Sequence, residues 1–172
     1  MNNSERRIMR YLPSLCGIAS ILMVSSSAMA QEDQITWNCV PVTMSASTRE
    51  TVGDRDGHMI ATGQSVCTGT SGILKDAVWT FSVLFSYDKT EGTLIDSSGI
   101  AKKPGTIVVT KAVDGNQTLV MTDGKLTGYS GSVHLAIPIA TGDAAALAGK
   151  TVEATWKNNA QINQYTLEMK LK

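Results

Sequence analysis

The chain has 172 residues, and its 15 Lys and Arg residues are balanced by 15 Asp and Glu residues. This length fits a single domain with one hydrophobic core. The balanced charge argues against a nucleic-acid or anionic-membrane partner, because either would require a clustered basic face.

Residues 1–30 contain the three parts of a secretory signal peptide. Arginines precede an apolar stretch over residues 11–24, and Ala28-Met29-Ala30 supplies the small residues at which such peptides are cleaved. A transmembrane anchor is the alternative, but Pro13 and several Gly and Ser residues leave fewer than the roughly 20 apolar residues that a bilayer requires. We therefore expect cleavage between Ala30 and Gln31, and a periplasmic or secreted bacterial protein.

Two further features of this segment concern export. The Arg6-Arg7 pair leaves the twin-arginine route open beside the general secretory route. Cys16 lies too early in the apolar stretch for a lipidated cysteine, so we expect it to leave with the peptide and predict no stable membrane anchor. The remaining residues 31–172 form one predicted β domain. They carry 12 basic and 14 acidic side chains, which again indicates no nucleic-acid partner.

Cys39 and Cys67 are the cysteines that remain after the predicted cleavage. In an oxidising compartment an isolated pair is most simply a disulfide. The alternatives are a redox pair, which usually has a C-x-x-C-like spacing, and half of a zinc site, which requires two further ligands. Because the pair has neither that spacing nor such ligands nearby, we predict a structural disulfide.

Alternating apolar and polar residues predict strands along the rest of the chain. The clearest case is the segment 77–87, in which every odd position is apolar, and Val133, Leu135, Ile137 and Ile139 form a similar face. The predicted strands cover residues 35–47, 58–69, 77–87, 93–101, 105–113, 117–122, 133–139, 151–157 and 165–171.

The connections between these strands carry turn signals. Asp114-Gly115 and Asp123-Gly124 predict tight hairpins, because an Asp-Gly pair suits a backbone with positive φ. Residues 143–149 predict one short helix, with Asp143 as its cap and Gly149 at its end. The sequence therefore predicts an all-β fold, an antiparallel barrel of eight to nine strands, with a two-sheet sandwich as the alternative.

The late part of the chain contains GYSGS at residues 128–132 and GDAAALAGK at residues 142–150. These segments form a strand, a G-x-x-x-x-L-x-G passage and a second strand. This arrangement resembles the small secreted β-barrels of the allene-oxide-cyclase and dirigent-like group. The resemblance covers the last third of the chain, implies a barrel architecture and assigns no active-site residue.

Candidate catalytic residues are few. The sequence has no G-x-S-x-G elbow, and no glycine-rich loop precedes a helix in the manner of a phosphate site. His134 lies between two apolar residues expected to face inward, so we expect its side chain in solvent. Asp54, Asp56 and His58 are spaced for a simple metal site, but the same residues are ordinary turn chemistry. We predict no metal and no cofactor.

The aromatic residues of the segment 77–87 have two interpretations. They are ordinary packing for a barrel interior, or they line an incompletely filled barrel that binds an apolar or aromatic molecule. In the second case Tyr87 and Tyr129 are the polar contacts. The candidate pocket residues are Trp79, Phe81, Phe85, Tyr87, Tyr129 and Trp156.

We therefore expect an exported, non-enzymatic barrel that binds a small apolar molecule or a protein of the cell envelope. One alternative is a small isomerase or cyclase with a shaped pocket, which would show a buried polar cluster with shifted pKa values around Tyr87, Tyr129 or a histidine. Another is a protein-interaction module, which would show an exposed apolar patch. The sequence indicates no oligomeric state.

Overall fold

The computed structural model describes residues 34–42, 48–159 and 164–172, so the predicted signal peptide lies outside the described residues. No helix within these ranges is long and apolar enough to span a bilayer. The strands are β1 (Gln34–Pro41), β2 (Arg49–Thr51), β3 (His58–Gly69), β4 (Val78–Asp88), β5 (Glu91–Lys103), β6 (Thr106–Thr122), β7 (Lys125–Ala140), β8 (Thr151–Asn159) and β9 (Gln164–Leu171).

The strands form one antiparallel sheet in the order β1-β9-β8-β7-β6-β5-β4-β3-β2. β1 also pairs with β3, from Trp37 opposite Gly69 to Pro41 opposite Ser65, so the sheet closes on itself. β2 pairs with β3 at residues 59–61, beyond the part of β3 that pairs with β1. The chain is therefore a closed barrel of eight strands with one extra strand. The predicted barrel is confirmed, and the alternative sandwich is wrong.

Inward-facing side chains form two clusters, because successive residues of a strand point to opposite faces of the sheet. The larger cluster fills the end of the barrel at which β1 and β4 begin, and we call it the floor. Leu147, from the helix between β7 and β8, and Leu74, from the β3–β4 connection, complete it. The smaller cluster lies toward the opposite end and consists of Ala61, Phe85, Tyr87 and Leu119.

The two Asp-Gly pairs have different structures. Asp123 and Gly124 have φ values of 51° and 73° and connect β6 to β7, so this predicted hairpin is confirmed. The hairpin predicted at Asp114-Gly115 is wrong, since both residues lie inside β6. A Cβ on Gly115 would lie 2.9 Å from the Ser132 carbonyl oxygen, so the glycine permits close packing against β7 rather than a turn.

Three register shifts interrupt the pairing of β6 with β7, and two of them affect the predicted inward faces. Between the pairs Ala112–Leu135 and Asp114–His134, β6 has one extra residue, Val113, which is 63% exposed. β7 in turn has one extra residue near its end, so Ile139, which the alternation places inside, is 52% exposed. Each extra residue forms a β-bulge, and a bulge reverses the alternation beyond it.

The predicted helix is a short 3₁₀ helix, Gly142–Leu147, that begins one residue earlier and ends two residues earlier than expected. Thr141 rather than Asp143 occupies the cap position. Asp143 lies in the first turn, and one of its carboxylate oxygens is 3.4 Å from the Lys103 ammonium. Gly149 follows the helix with a φ of 77°. This helix covers the floor of the barrel.

A disulfide joins Cys39 of β1 to Cys67 of β3, and both residues are fully buried. This confirms the predicted pairing and excludes free thiols at these two positions. A disulfide of this kind indicates an oxidising environment.

Candidate ligand-binding site

The barrel encloses a cavity of about 660 Å³ between the floor and the opposite end. Pockets that hold small organic ligands have volumes of about 300–1,000 Å³. Its wall is mainly apolar and includes Val83, Leu94, Leu135 and Leu167. The cavity is therefore large enough for a small organic molecule, so the aromatic side chains of the barrel do not fill its interior.

All six residues that the sequence analysis selected lie on the cavity wall. β4 supplies Trp79 and Phe81 near the floor, where the ring centroids are 4.2 Å apart, and Phe85 and Tyr87 farther along the strand. They face inward together because they occupy alternate positions of one strand. The remaining two are Tyr129 of β7 and Trp156 of β8.

The wall is partly open to solvent at the end of β1, at β2 and at the end of β8. We call this part, formed by Pro41, Val42, Thr48, Arg49 and Asn158, the mouth. The mouth differs from the rest of the wall because it contains several polar side chains, those of Thr48, Arg49 and Asn158. A ligand in the cavity would therefore have an apolar environment at the floor and a polar one at the mouth.

Arg49 and Gln117 are two wall residues that the sequence analysis missed. The Arg49 Nη2 donates a hydrogen bond of 2.8 Å to the Tyr129 hydroxyl, and the guanidinium carbon lies 5.6 Å from the centre of that ring. The Gln117 Nε2 donates a hydrogen bond of 2.7 Å to the Tyr87 hydroxyl. Both tyrosines are therefore held in place by a polar neighbour.

The pKa of Tyr87 is raised to about 12, mainly by burial and also by the nearby Tyr129, and the positive charge of Arg49 and the Gln117 hydrogen bond limit the rise. Its phenol consequently stays protonated over the physiological pH range. Its hydroxyl is therefore available in the cavity as a hydrogen-bond donor and not as a base.

Tyr165 forms a second polar point on the wall. Its hydroxyl donates a hydrogen bond of 2.9 Å to the Ser65 Oγ, and burial raises its pKa to about 12. Because Ser65 already accepts this hydrogen bond, Tyr165 is satisfied within the protein. The tyrosines at positions 87 and 129 differ from it, since their oxygens accept hydrogen bonds and their hydroxyl hydrogens have no acceptor among the described residues.

The two histidines lie outside the cavity. His58 Nδ1 contacts an Asp54 carboxylate oxygen, and its Nε2 lies 3.0 Å from the Ser86 Oγ. This is the order of groups in a Ser-His-Asp triad, but Ser86 is an outward-facing residue of β4 and none of the three lines the cavity. His134 Nδ1 lies 2.6 Å from an Asp114 oxygen on the outer surface.

The turn before β3 contains Asp54 and Asp56, and His58 begins the strand. In the part of the chain that the structure describes, no three His, Cys, Asp or Glu side chains are grouped to hold a metal ion. Asp54 contacts His58, and the proximity of this histidine lowers the pKa of the carboxyl group. This contact explains why Asp54 and His58 lie four residues apart, because the two side chains pair across the turn.

A comparison of the chain with protein-family models, curated proteins and solved structures finds no match. The resemblance to the allene-oxide-cyclase and dirigent-like group stays a prediction, and its glycine-rich segment 128–132 lies within β7. The geometry of the cavity is therefore the basis for the functional argument.

Proposed function

We propose that the protein is an exported, non-enzymatic β-barrel that binds a small apolar molecule in its cavity. The observation that carries this proposal is the volume of about 660 Å³ enclosed by a mainly apolar wall. An unfilled cavity of this size destabilises the folded protein. The side chains around it lose the dispersion contacts and the transfer free energy that an interior packed to ordinary density provides. A bound apolar molecule would restore those contacts.

Export is the second part of the proposal. It rests on the signal-peptide pattern of residues 1–30 and on the Cys39–Cys67 disulfide, which requires an oxidising compartment to persist. A periplasmic or secreted barrel is surrounded by water. Binding in the cavity is therefore favoured by roughly 25 cal/mol for each Å² of apolar ligand surface that is removed from water.

A small isomerase or cyclase is the second candidate function, and Tyr87 favours it. Its protonated phenol, held by Gln117 in a largely apolar cavity, has the character of a donor that stabilises a negatively charged oxygen in a transition state. The two functions differ in the effect of Tyr87→Phe. An enzyme would lose turnover with little change in substrate affinity, whereas a binding protein has no turnover to lose.

A binding partner from the cell envelope would use the outside of the barrel instead. Ile100 of β5, Val109 of β6 and Ile139 of β7 lie side by side on the outer face, and Ile100 and Ile139 are about half exposed. Together they form a small apolar patch, and folded monomers commonly expose patches of a few hundred Å². The internal cavity is therefore the stronger basis for a function.

The test measures whether an apolar molecule enters the barrel. N-phenylnaphthylamine, a neutral dye that fluoresces in apolar surroundings, is titrated into the purified protein with its disulfide intact. Val83 faces the cavity, so Val83→Trp should abolish or strongly weaken dye binding by filling the space. The matched control is Val78→Trp on the same strand, because Val78 is 48% exposed on the outside.

If Val83→Trp does not fold, Ala61→Leu adds less volume to the same cavity wall. Circular dichroism and thermal unfolding establish that each variant is folded before the titration. The proposal is overturned if the dye does not bind the wild-type protein, or if a folded variant with a filled cavity binds it as tightly as the wild type.

A further inference from the structure

The polar side chains beside the mouth carry a positive charge that no nearby carboxylate balances among the described wall residues. Arg49 is the only charged residue on the part of the cavity wall that the structure describes, and no Asp or Glu lines that part. Within the described ranges, Arg49 forms no ion pair with a carboxylate. Its charge is therefore uncompensated at the entrance to an apolar cavity.

The hydrogen bonds at this end leave further donors available. The Tyr129 oxygen accepts from Arg49, and the Tyr87 oxygen accepts from Gln117, so both hydroxyl hydrogens remain for another acceptor. Tyr87 is only 2% exposed. Its oxygen is paired with Gln117, and its hydroxyl hydrogen is free to donate to a group that enters the cavity.

These donors act on the same region of the cavity. Arg49 contacts Tyr129 directly and lies opposite Ala61, which in turn lies opposite Phe85, two residues before Tyr87 on β4. Two phenol hydroxyls and a guanidinium therefore lie within electrostatic reach of one another. These three donors are groups on the cavity wall that suit a negatively charged ligand.

We infer that the cavity binds an amphiphilic monocarboxylate, with its carboxylate at Arg49, Tyr87 and Tyr129 and its apolar chain directed toward the floor. This inference rests on the proposed function, since it requires an apolar molecule in the cavity. The floor end supplies the complementary surface, where Phe81 and Leu135 line the wall.

A carboxylate fits these groups better than a phosphate does. One guanidinium supplies one positive charge, and a carboxylate carries one negative charge in the planar geometry that a guanidinium pairs with through two hydrogen bonds. A phosphate monoester carries nearly two negative charges at neutral pH. Its second charge would lie beside an apolar cavity without a second cation among the described wall residues.

The test compares headgroups on one apolar chain. Dodecanoate, dodecanol, dodecylamine and dodecyl phosphate are used to displace N-phenylnaphthylamine at low ionic strength. We expect dodecanoate to compete at about a tenfold lower concentration than dodecanol, as a charge-assisted hydrogen bond predicts for a partly exposed arginine. Dodecylamine should compete least, because its positive charge faces that of Arg49.

Arg49→Gln should remove the advantage of dodecanoate over dodecanol, measured as the ratio of the concentrations at which the two displace the dye. The matched control is Arg55→Gln, since Arg55 contacts Asp54 and Asp88 and does not line the cavity. Arg49→Lys should keep part of the advantage, because it retains the charge and loses the planar geometry. Tyr87→Phe should reduce the advantage without removing it.

The outcomes separate this inference from the proposed function. If the dye binds but the four headgroups compete equally, or if dodecyl phosphate competes best, the proposed function stands and the carboxylate assignment is overturned. The assignment is also overturned if Arg49→Gln weakens dodecanol and dodecanoate by the same factor, because Arg49 would then only shape the barrel. If the dye does not bind at all, the proposed function itself fails.

Discussion

Cys39 and Cys67 lie directly opposite each other on β1 and β3, the two strands whose pairing closes the barrel. In sheet order these are the first and last strands of the closed barrel, so the disulfide joins the two strands that meet where the sheet closes. The two cysteines are 28 residues apart. Such a closure reduces the entropy of the unfolded chain by an amount worth about 3 to 4 kcal/mol at room temperature.

We therefore expect the double variant Cys39→Ala, Cys67→Ala to lose about 3 to 4 kcal/mol in its free energy of unfolding. Urea denaturation of the oxidised wild type and of the variant measures the difference. The reduced wild type should unfold close to the variant, and a reductant should leave the variant unchanged. A variant as stable as the oxidised wild type would show that the strand pairing alone closes the barrel.

Tyr165 makes the stability depend on alkaline pH. Burial raises its pKa to about 12 in the folded state, against about 10 in an unfolded chain. The folded state thus holds its proton more tightly, so its contribution is fully present below about pH 10 and is lost as the pH rises to about 12. Over that interval we expect Tyr165 to lower the free energy of unfolding by about 1 kcal/mol per pH unit.

The measurement is urea denaturation at several pH values from 8 to 11, with Tyr165→Phe for comparison. The variant should show a smaller decrease above about pH 10, where the wild-type phenol begins to favour the unfolded state. Part of the decrease should remain, because Tyr87 also has a raised pKa. Parallel curves for the two proteins over the whole range would contradict the assignment to Tyr165.

Gly99 of β5 permits the aromatic packing at the floor. A Cβ at this position would overlap the Trp79 Nε1 and would lie 2.6 Å from the Phe81 Cβ. Gly99→Ala should therefore destabilise the protein by about 1 to 3 kcal/mol through overpacking. Thermal and urea unfolding measure this, with Ser98→Ala on the exposed face of the same strand as the control, for which a change within about 0.5 kcal/mol is expected. Equal stability of the two variants would mean that the indole moves without cost.

We expect no hydrolase activity from the hydrogen-bonded side chains of Asp54, His58 and Ser86. Ser86 lies within β4 and pairs with β3 and β5 on either side, so backbone amides of the sheet there are used in strand pairing. A reactive serine also requires donors placed for the oxyanion. Treatment with a fluorophosphonate should therefore leave the intact mass unchanged. Stoichiometric labelling that disappears in Ser86→Ala would show that the surface cluster is a nucleophile.

The barrel, the apolar wall of the site and its two tyrosines were predictable from sequence, but Arg49 and Gln117 were not. Alternation in the segment 77–87 places Trp79, Phe81, Phe85 and Tyr87 on one face of one strand, and this local period survives in the fold. Gln117 could not be found this way. Even-numbered residues of β6 face inward up to Ala112, and odd-numbered residues do so from Gly115 onward, because the bulge at Val113 reverses the alternation.

Arg49 escaped prediction for a different reason. It lies on β2, a strand of three residues whose side chains are all exposed, so it has no apolar period to identify it. Only its pairing opposite Ala61 of β3 brings it beside the cavity. The hairpin prediction at Asp114-Gly115 failed for another reason. There the local turn signal is overridden because β7 approaches closely.

The bulge at Val113 also has a consequence for how the protein can change. It separates β6 into a part whose inward residues, such as Val108, support the floor and a part whose inward residues, Gln117 among them, face the mouth. Under the proposed binding mode, selection for a new headgroup preference acts on Arg49 and Gln117 while the floor keeps its packing. A library restricted to these two positions should yield many folded members, in contrast to one that varies Val108 and Leu135.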